Sequence, residues 1–344
     1  MKQIKTVNAV GHILCHDITQ IIKDVTKDVV FKKGHVVREE DIPVLLSVGK
    51  ENLYVWEKQE GMLHENEAAE ILYKICKNEY MKPSPVKEGK IEVIADADGL
   101  FKIDSERLFE INSLGEMIIA TRHGNTIVRK GDKLAGTRII PLVIEEKKMK
   151  RAQEIGGNKP IMSILPLKHK KVGIVTTGSE VYHGRIKDTF GPVIIEKFNE
   201  FDTEILGQII VDDNKEAITS AILKFIEEGA DIVVCTGGMS VDPDDCTPGA
   251  IKDTKAEIIT YGAPVLPGAM MLVSYYNYNG KNIPILGLPG CVMYAKRTIF
   301  DLLLPRIMAD EKLKKSDIDR LGQGGLCLNC DICTYPNCGF GKGY

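Results

Sequence analysis

The chain has 344 residues, a formal net charge of −3, 44% hydrophobic residues and 27% charged residues. That length holds two or three domains, each with its own core, and the composition is that of a soluble globular protein. The charge gives no reason to expect a nucleic-acid surface, and no apolar run approaches the ~20 residues that span a bilayer. The opening MKQIKTVNAVGHILCHDI lacks the apolar core and cleavage site of a signal peptide. The cytoplasm is the expected location, with neither nucleic acid nor membrane as partner.

Residues 1–60 read as short strands and turns around one helix. A Lys33-Gly34 turn precedes an acidic helix start at Glu39–Asp41; Pro43 suits the first helical turn and Gly49 the helix end. NLYVWE then has strand character, with Trp56 as a packing anchor. In HENEAAEILYKICKNEY, apolar residues at 68, 71, 72, 75 and 76 make a helical stripe. MKPSPVKEG breaks it and places a linker near residues 81–90. From Ile91 to Ile144, strand-like runs alternate with turns at Asp98-Gly99, His123-Gly124 and Lys130-Gly131-Asp132. EEKKMKRAQEIGGN reads as a charged helix ending at paired glycines.

Beyond Pro166 the pattern becomes a regular alternation. Strands are expected at 171–175, 204–211 and 231–235, with a hairpin across Asn279-Gly280. Helices are expected near Phe190–Phe201, after a capping stretch Asp212-Asp213-Asn214, near Thr247–Asp253 and over Val292–Ala309. The fold class is α/β: a three-layer domain with a parallel-rich sheet, preceded by a smaller α+β or β-rich region. The expected division is 1–80 (α+β), 91–160 (β-rich with a linker helix), 168–310 (α/β) and 322–344 (a cysteine-rich tail).

Val172–Val175, Ile232–Cys235 and Ile283–Leu286 are apolar runs, each followed by a Gly-rich turn: TTGSE, TGG and GLPG. Ligands of open α/β sheets bind outside the carboxyl ends of strands, so the three turns should meet at one crevice. Thr177, Gly178 and Ser179 bring backbone N–H groups, two hydroxyls and a flexible glycine, a set suited to a phosphate or another oxyanion. Glu180, Asp188, Asp212, Asp213, Asp242, Asp244 and Asp245 all fall in or just beyond turns after strands. A phosphate-binding rim gathers carboxylates when a divalent cation sits between them and the ligand.

TTGSEV, the VDD turn, TGGMSVDPDDCT, PVLP and GLPG, in that order, resemble the molybdopterin-binding domain of molybdenum cofactor biosynthesis proteins, over about residues 168–309. The specific resemblance is to the molybdopterin molybdenumtransferases, which insert molybdate into adenylylated molybdopterin. The resemblance implies that Thr177, Gly178 and Ser179 hold phosphate or pterin, with Glu180 close to the metal or nucleotide. It likewise implies Asp212 at the cation or molybdate site, Gly237, Gly238 and Ser240 lining the pocket, and Asp245 with Thr247 on pterin or cation. Pro264 and Pro267 resemble a proline pair near the molybdate site, and Pro289 with Gly290 would form a third wall. Glu180, Asp212 and Asp245 are the catalytic candidates, and Mg²⁺ the implied cation. ADADGLF is a distant echo of the family's SxMDGYA segment, and DPDDCT is closer to the DDxT of competence-damage proteins. Two alternatives therefore stand beside molybdate insertion: a non-catalytic cofactor carrier or sensor that docks on a molybdenum enzyme, and a nucleotide hydrolase. The resemblance is also compatible with a homodimer.

Of nine cysteines, Cys327, Cys330, Cys333 and Cys338 crowd into twelve residues at spacings x2, x2 and x4. In a cytosolic protein such a cluster indicates metal before disulfides. CxxCxxC with a fourth cysteine near a proline resembles iron–sulfur ligation, and tetrahedral zinc is equally allowed by four thiolates.

Overall fold

The computed structural model describes residues 2–22, 26–55, 60–240, 242 and 245–343; Trp56 and Asp244 lie outside the described residues. The chain divides into two compact units. One comprises Met1–Ala97, Ile103–Arg122 and Arg129–Ile164, the other Asp98–Lys102, His123–Val128 and Leu165–Tyr344. No helix among the described residues is long and apolar enough to cross a membrane.

Among the described residues, the first unit is built from small sheets and four α-helices. Helix Asp41–Ser47 ends where Gly49 takes φ +77°, and the strand Asn52–Val55 pairs antiparallel with Lys2–Lys5. Helix Glu65–Cys76 buries Ala68, Leu72 and Cys76 of the expected stripe, leaves Ile71 and Ile75 half-buried and buries Ala69 and Tyr73 besides; it starts where His64 accepts a hydrogen bond from the Asn66 amide at 3.1 Å. The 81–90 stretch is not all linker. Met81–Pro83 forms an edge strand on Lys90–Ala95, a position at which a proline without an N–H is tolerated. The helix Ser105–Asn112 was not expected within the strand-like run; the Asp104 carboxylate caps it, accepting from the Arg107 amide at 3.1 Å. The charged helix expected before Pro160 is Glu146–Gly156, and Gly156 lies so close to Ile75 that a side chain there would collide with it.

The second unit carries a six-stranded sheet made of β1 (Lys170–Thr177), β2 (Thr203–Val211), β3 (Ile232–Thr236), β4 (Glu257–Tyr261), β5 (Leu272–Tyr278) and β6 (Lys281–Leu288). Their order across the sheet is β2-β1-β3-β6-β5-β4. The first four run parallel, and β5 returns antiparallel from β6 through the turn at Asn279-Gly280. β1 and β3 are buried on both faces, as parallel strands covered by helices must be. The helices of five or more residues are α1 (Phe190–Phe198), α2 (Lys215–Glu227), α3 (Thr247–Asp253), α4 (Ile299–Met308) and α5 (Lys315–Asp319), and Ser179–Tyr182 forms a single helical turn after β1. Val172, Ile174, Phe198, Leu286 and Phe300 share one core, and Val175, Ile222, Phe225, Val233 and Ile285 share a second. Sheet between two apolar layers is the α/β architecture expected.

The helix expected over Val292–Ala309 is two pieces, a single 3₁₀ turn at Gly290–Met293 and α4. α4 starts where it does because Thr298 and Asp301 form a reciprocal capping box. All ten of its residues are buried, so its charges need partners. Asp301 Oδ1 accepts from Lys197 Nζ at 2.7 Å and from Arg297 Nη1 at 2.9 Å, and its Oδ2 accepts from the Thr298 amide at 2.7 Å. Arg306 donates two bonds to Glu311, at 2.8 and 2.7 Å, and Lys102 donates to the same carboxylate at 2.8 Å. Burial of Lys197 against Asp301 makes this pair sensitive to loss of one partner. Asp301→Ala should lower the unfolding free energy by about 3–5 kcal/mol, measured by urea denaturation; a loss below about 1 kcal/mol would show that Lys197 re-solvates freely.

Candidate functional site

The parallel strands determine what meets at the rim. Thr176 of β1 lies beside Thr236 of β3, and Thr236 beside Leu288 of β6, so the turns after these strands leave the sheet at one edge. β2 ends at Val211 opposite Thr177, which adds residues 212–214 to the same edge. β4 is antiparallel to β5, and β5 to β6, so β4 runs with the parallel set and Tyr261 emerges there too.

Two turns interlock. Gly237 and Gly238 have φ of +85° and +52°, and a Cβ on Gly237 would strike the Thr177 carbonyl. Only glycine meets both demands. Thr247 Oγ1 donates to the Gly237 carbonyl at 2.9 Å and lies 3.2 Å from Thr177 Oγ1, while its amide reaches the Gly238 carbonyl at 3.2 Å. Thr177 and Thr247 are 3% and 0% exposed. Their hydroxyls therefore shape the turn from beneath and are spent on it. Ser179, Gly237 and Gly238 are half-buried, and Ser240 and Gly290 are exposed. A Gly-rich turn of this kind gathers backbone N–H groups into an anion-binding concavity.

The acids fall into separate groups. Asp212 and Asp213 close on Ser179: its amide donates to Asp213 Oδ2 at 2.8 Å and its hydroxyl donates to Asp212 Oδ1. His183 Nε2 stands 3.7 Å from the other Asp212 oxygen. The Ser179 hydroxyl, then the Asp213 amide, hold the Asp212 carboxyl below the ordinary range. Neither aspartate caps α2; Asn214 does, accepting from the Ala217 amide at 2.8 Å. Glu180 is exposed, with its carboxylate turned back toward Gly178. Asp245 is half-buried and accepts from the Asp242 amide at 2.9 Å. Asp188 caps α1 through the Phe190 amide at 2.9 Å. Among the described residues, no three histidine, cysteine or acidic side chains are gathered closely enough to hold a metal ion, so Glu180, Asp212 and Asp245 do not form one cluster.

Pro267 is half-buried and Pro264 exposed, on the segment between β4 and β5; Pro289 is buried beneath the exposed Gly290. Cys327 and Cys338 are half-buried against the second unit's core, whereas Cys330 and Cys333 are exposed, all as free thiols. Two rim residues escaped the sequence reading. Gln208 donates to Thr176 Oγ1 and to Asp188 Oδ2, both at 2.7 Å, tying β1 and β2 to the start of α1. A polar residue within an otherwise apolar strand was the available signal. Tyr261 donates to the Met239 and Ser240 carbonyls at 2.9 and 3.1 Å, which anchors the TGG turn. Burial, then the Asp245 charge, raises its phenol pKa and keeps that donor protonated. No local pattern announces it.

Residues 173–309 match the family described as a probable molybdopterin binding domain, and residues 3–57 match a domain of unknown function. The molybdopterin adenylyltransferase of Pyrococcus furiosus is 32% identical over 92 residues, which is 27% of this chain and 54% of that protein. The molybdopterin molybdenumtransferase of Synechococcus elongatus is 25% identical over 198 residues, 55% of this chain and 45% of that protein. A CinA-like protein of Mycobacterium tuberculosis is 38% identical over 78 residues, 22% of this chain and 18% of that protein. The chain thus spans about half the length of the first two relatives it matches. Its α/β domain is a member of the molybdopterin-binding domain family.

Two variants probe this rim. Gly237→Ala should destabilise the protein by about 1–3 kcal/mol, read from the urea midpoint, because strain and the Thr177 carbonyl act together. Ser179→Ala should raise the Asp212 pKa toward the ordinary carboxylate value in an NMR titration. The Asp212 pKa is depressed in the folded state, so its contribution to stability is present above the unfolded pKa and lost as pH falls through the folded one. An unchanged Asp212 titration would disprove the Ser179 contact.

Proposed function

We propose that this chain, which carries a molybdopterin-binding domain, binds molybdopterin in its adenylylated form at the carboxyl rim of the second unit's sheet and takes part in making the molybdenum cofactor. The observation that carries the reading is the interlocked pair of turns at Thr177 and Gly237, within the residues that match the family. The finer proposal is molybdate insertion: two Mo–S bonds form as one molybdate oxygen leaves as water with the two thiol protons, water adds across the P–O–P bond of the adenylyl link, and AMP leaves.

In this reading the TTGSE and TGG turns hold the phosphates through backbone N–H donors other than the Ser179 amide, which serves Asp213, aimed at the negative charge that develops there. Ser240, Gly290, Pro264 and Pro267 bound the pocket, with Thr177 and Thr247 keeping the turns in register from below. Glu180, Asp212 and Asp245 supply the negative side. Mg²⁺ would neutralise the bridging phosphates; it is typically held by one or two carboxylates plus substrate phosphates and water, so separated acids suit it better than a preformed cage. The separation of the acids also favours the second reading, a non-catalytic carrier or sensor that delivers the finished cofactor to a molybdenum enzyme. We further propose that the cysteine tail carries metal, as its four closely spaced thiols indicate.

The test is AMP release from adenylyl-molybdopterin by anaerobically purified protein, with and without molybdate and Mg²⁺. Molybdate-dependent release is expected. Tight binding without release would make the chain a carrier, hydrolysis of nucleotides without pterin would make it a hydrolase, and no pterin binding would overturn the proposal. Asp245→Asn keeps an oxygen for the Asp242 amide and should slow AMP release by about 10²-fold with the melting temperature unchanged. A wild-type rate would remove Asp245 from the catalytic set.

A further inference from the structure

We propose that the four tail thiolates hold a polynuclear iron–sulfur cluster rather than a single zinc ion, seated in the cavity beneath Lys296 and Arg297. This deepens the reading of the tail as metal-bearing and rests on it. The tail is folded against the second unit at both ends of its cysteine run. At the near end, the Leu266 amide donates to the Gly325 carbonyl and the Cys327 amide to the Leu266 carbonyl, both at 2.8 Å, a short parallel bridge. At the far end, Phe340 is 5% exposed and Tyr335 donates its hydroxyl to the Asp301 carbonyl at 3.1 Å, with the Arg297 guanidinium 5.1 Å above its ring.

The run between these anchors has no apolar reason for its path. Leu328 and Ile332 are 79% and 81% exposed, so no core of its own directs residues 328–334. Lys296 directs part of it, donating to the Cys330 and Asp331 carbonyls at 3.2 and 2.8 Å. The result is that all four cysteines, Cys327, Cys330, Cys333 and Cys338, line one cavity of about 230 Å³ together with Lys296 and Arg297.

The width of that arrangement distinguishes the metals. Zinc binds thiolates at about 2.3 Å in a closed tetrahedron, which leaves no space among the sulfurs. Here the four cysteines line a single cavity of about 230 Å³, space that the iron and sulfide of a cluster would fill. The x2, x2 spacing is that of iron–sulfur ligation. Leu266 lies between Pro264 and Pro267, so the cluster would hang from the same loop as the proposed pterin pocket.

The experiment uses the full chain, purified anaerobically and also after reconstitution with ferrous iron and sulfide, with iron, acid-labile sulfide and zinc assayed and the visible spectrum recorded. About four iron and four sulfide per chain are expected, with broad visible absorption that bleaches on reduction by dithionite. Cys330→Ser and Cys333→Ser change exposed residues; each should lose most of the iron while circular dichroism of the α/β domain is preserved. One zinc per chain and no colour, even after reconstitution, would overturn the cluster while leaving a metal-bearing tail. No bound metal and four thiols open to alkylation under native conditions would overturn both.

Discussion

The second unit depends on one close approach, the Gly237 backbone against the Thr177 carbonyl. Adjacent parallel strands deliver their turns to the same edge whatever the sequence, but most turns would keep side chains between them. Here the absence of a Cβ and a left-handed φ at two successive residues let the turns touch. Thr247 then bonds to both, and because it opens α3, that helix is positioned by the same contact. Tyr261 holds the far side of the TGG turn from the end of β4. A rim built this way is rigid beneath and polar above, which is what a site for an anionic ligand requires.

Asp301 plays the corresponding role on the other side of the sheet. It lies on a helix buried all round, where an unpaired carboxylate would cost several kcal/mol, and Lys197, Arg297 and the Thr298 amide all serve it. Its own carbonyl accepts the Tyr335 hydroxyl. One residue therefore joins α1, the start of α4 and the cysteine tail. The tail is part of the second unit's packing, and the loop bearing Pro264 and Pro267 is paired to it through Leu266.

Much of the sheet was legible because the signals are local. Four-residue apolar runs followed by Thr and Gly located β1 and β3, and Asn279-Gly280 located the hairpin of β5 and β6. Helix Ser105–Asn112 was not legible, because its apolar residues are sparse and its stability comes from the Asp104 cap and its neighbours. The start of α4 was misplaced for a related reason. Only Lys296, Arg297 and Thr298 interrupt the apolar residues between Val292 and α4, and the reciprocal bonds of Thr298 and Asp301 select where the helix begins.

The amino-acid sequence by itself determined the alternation of strands and helices, the small-residue turns at strand ends and the chemical character of the rim and the tail. Those follow from residue-by-residue backbone preference and from which side chains a given stretch can bury. The tertiary structure decided the partners. Thr177 is spent on Thr247, 70 positions away, and Asp212 is drawn to Ser179 rather than to Glu180 or Asp245. It also decided that the four closely spaced tail cysteines line a single cavity with Lys296 and Arg297. Such pairings depend on strand order and register, which are settled by the packing of the whole unit at once, so no local stretch can encode them.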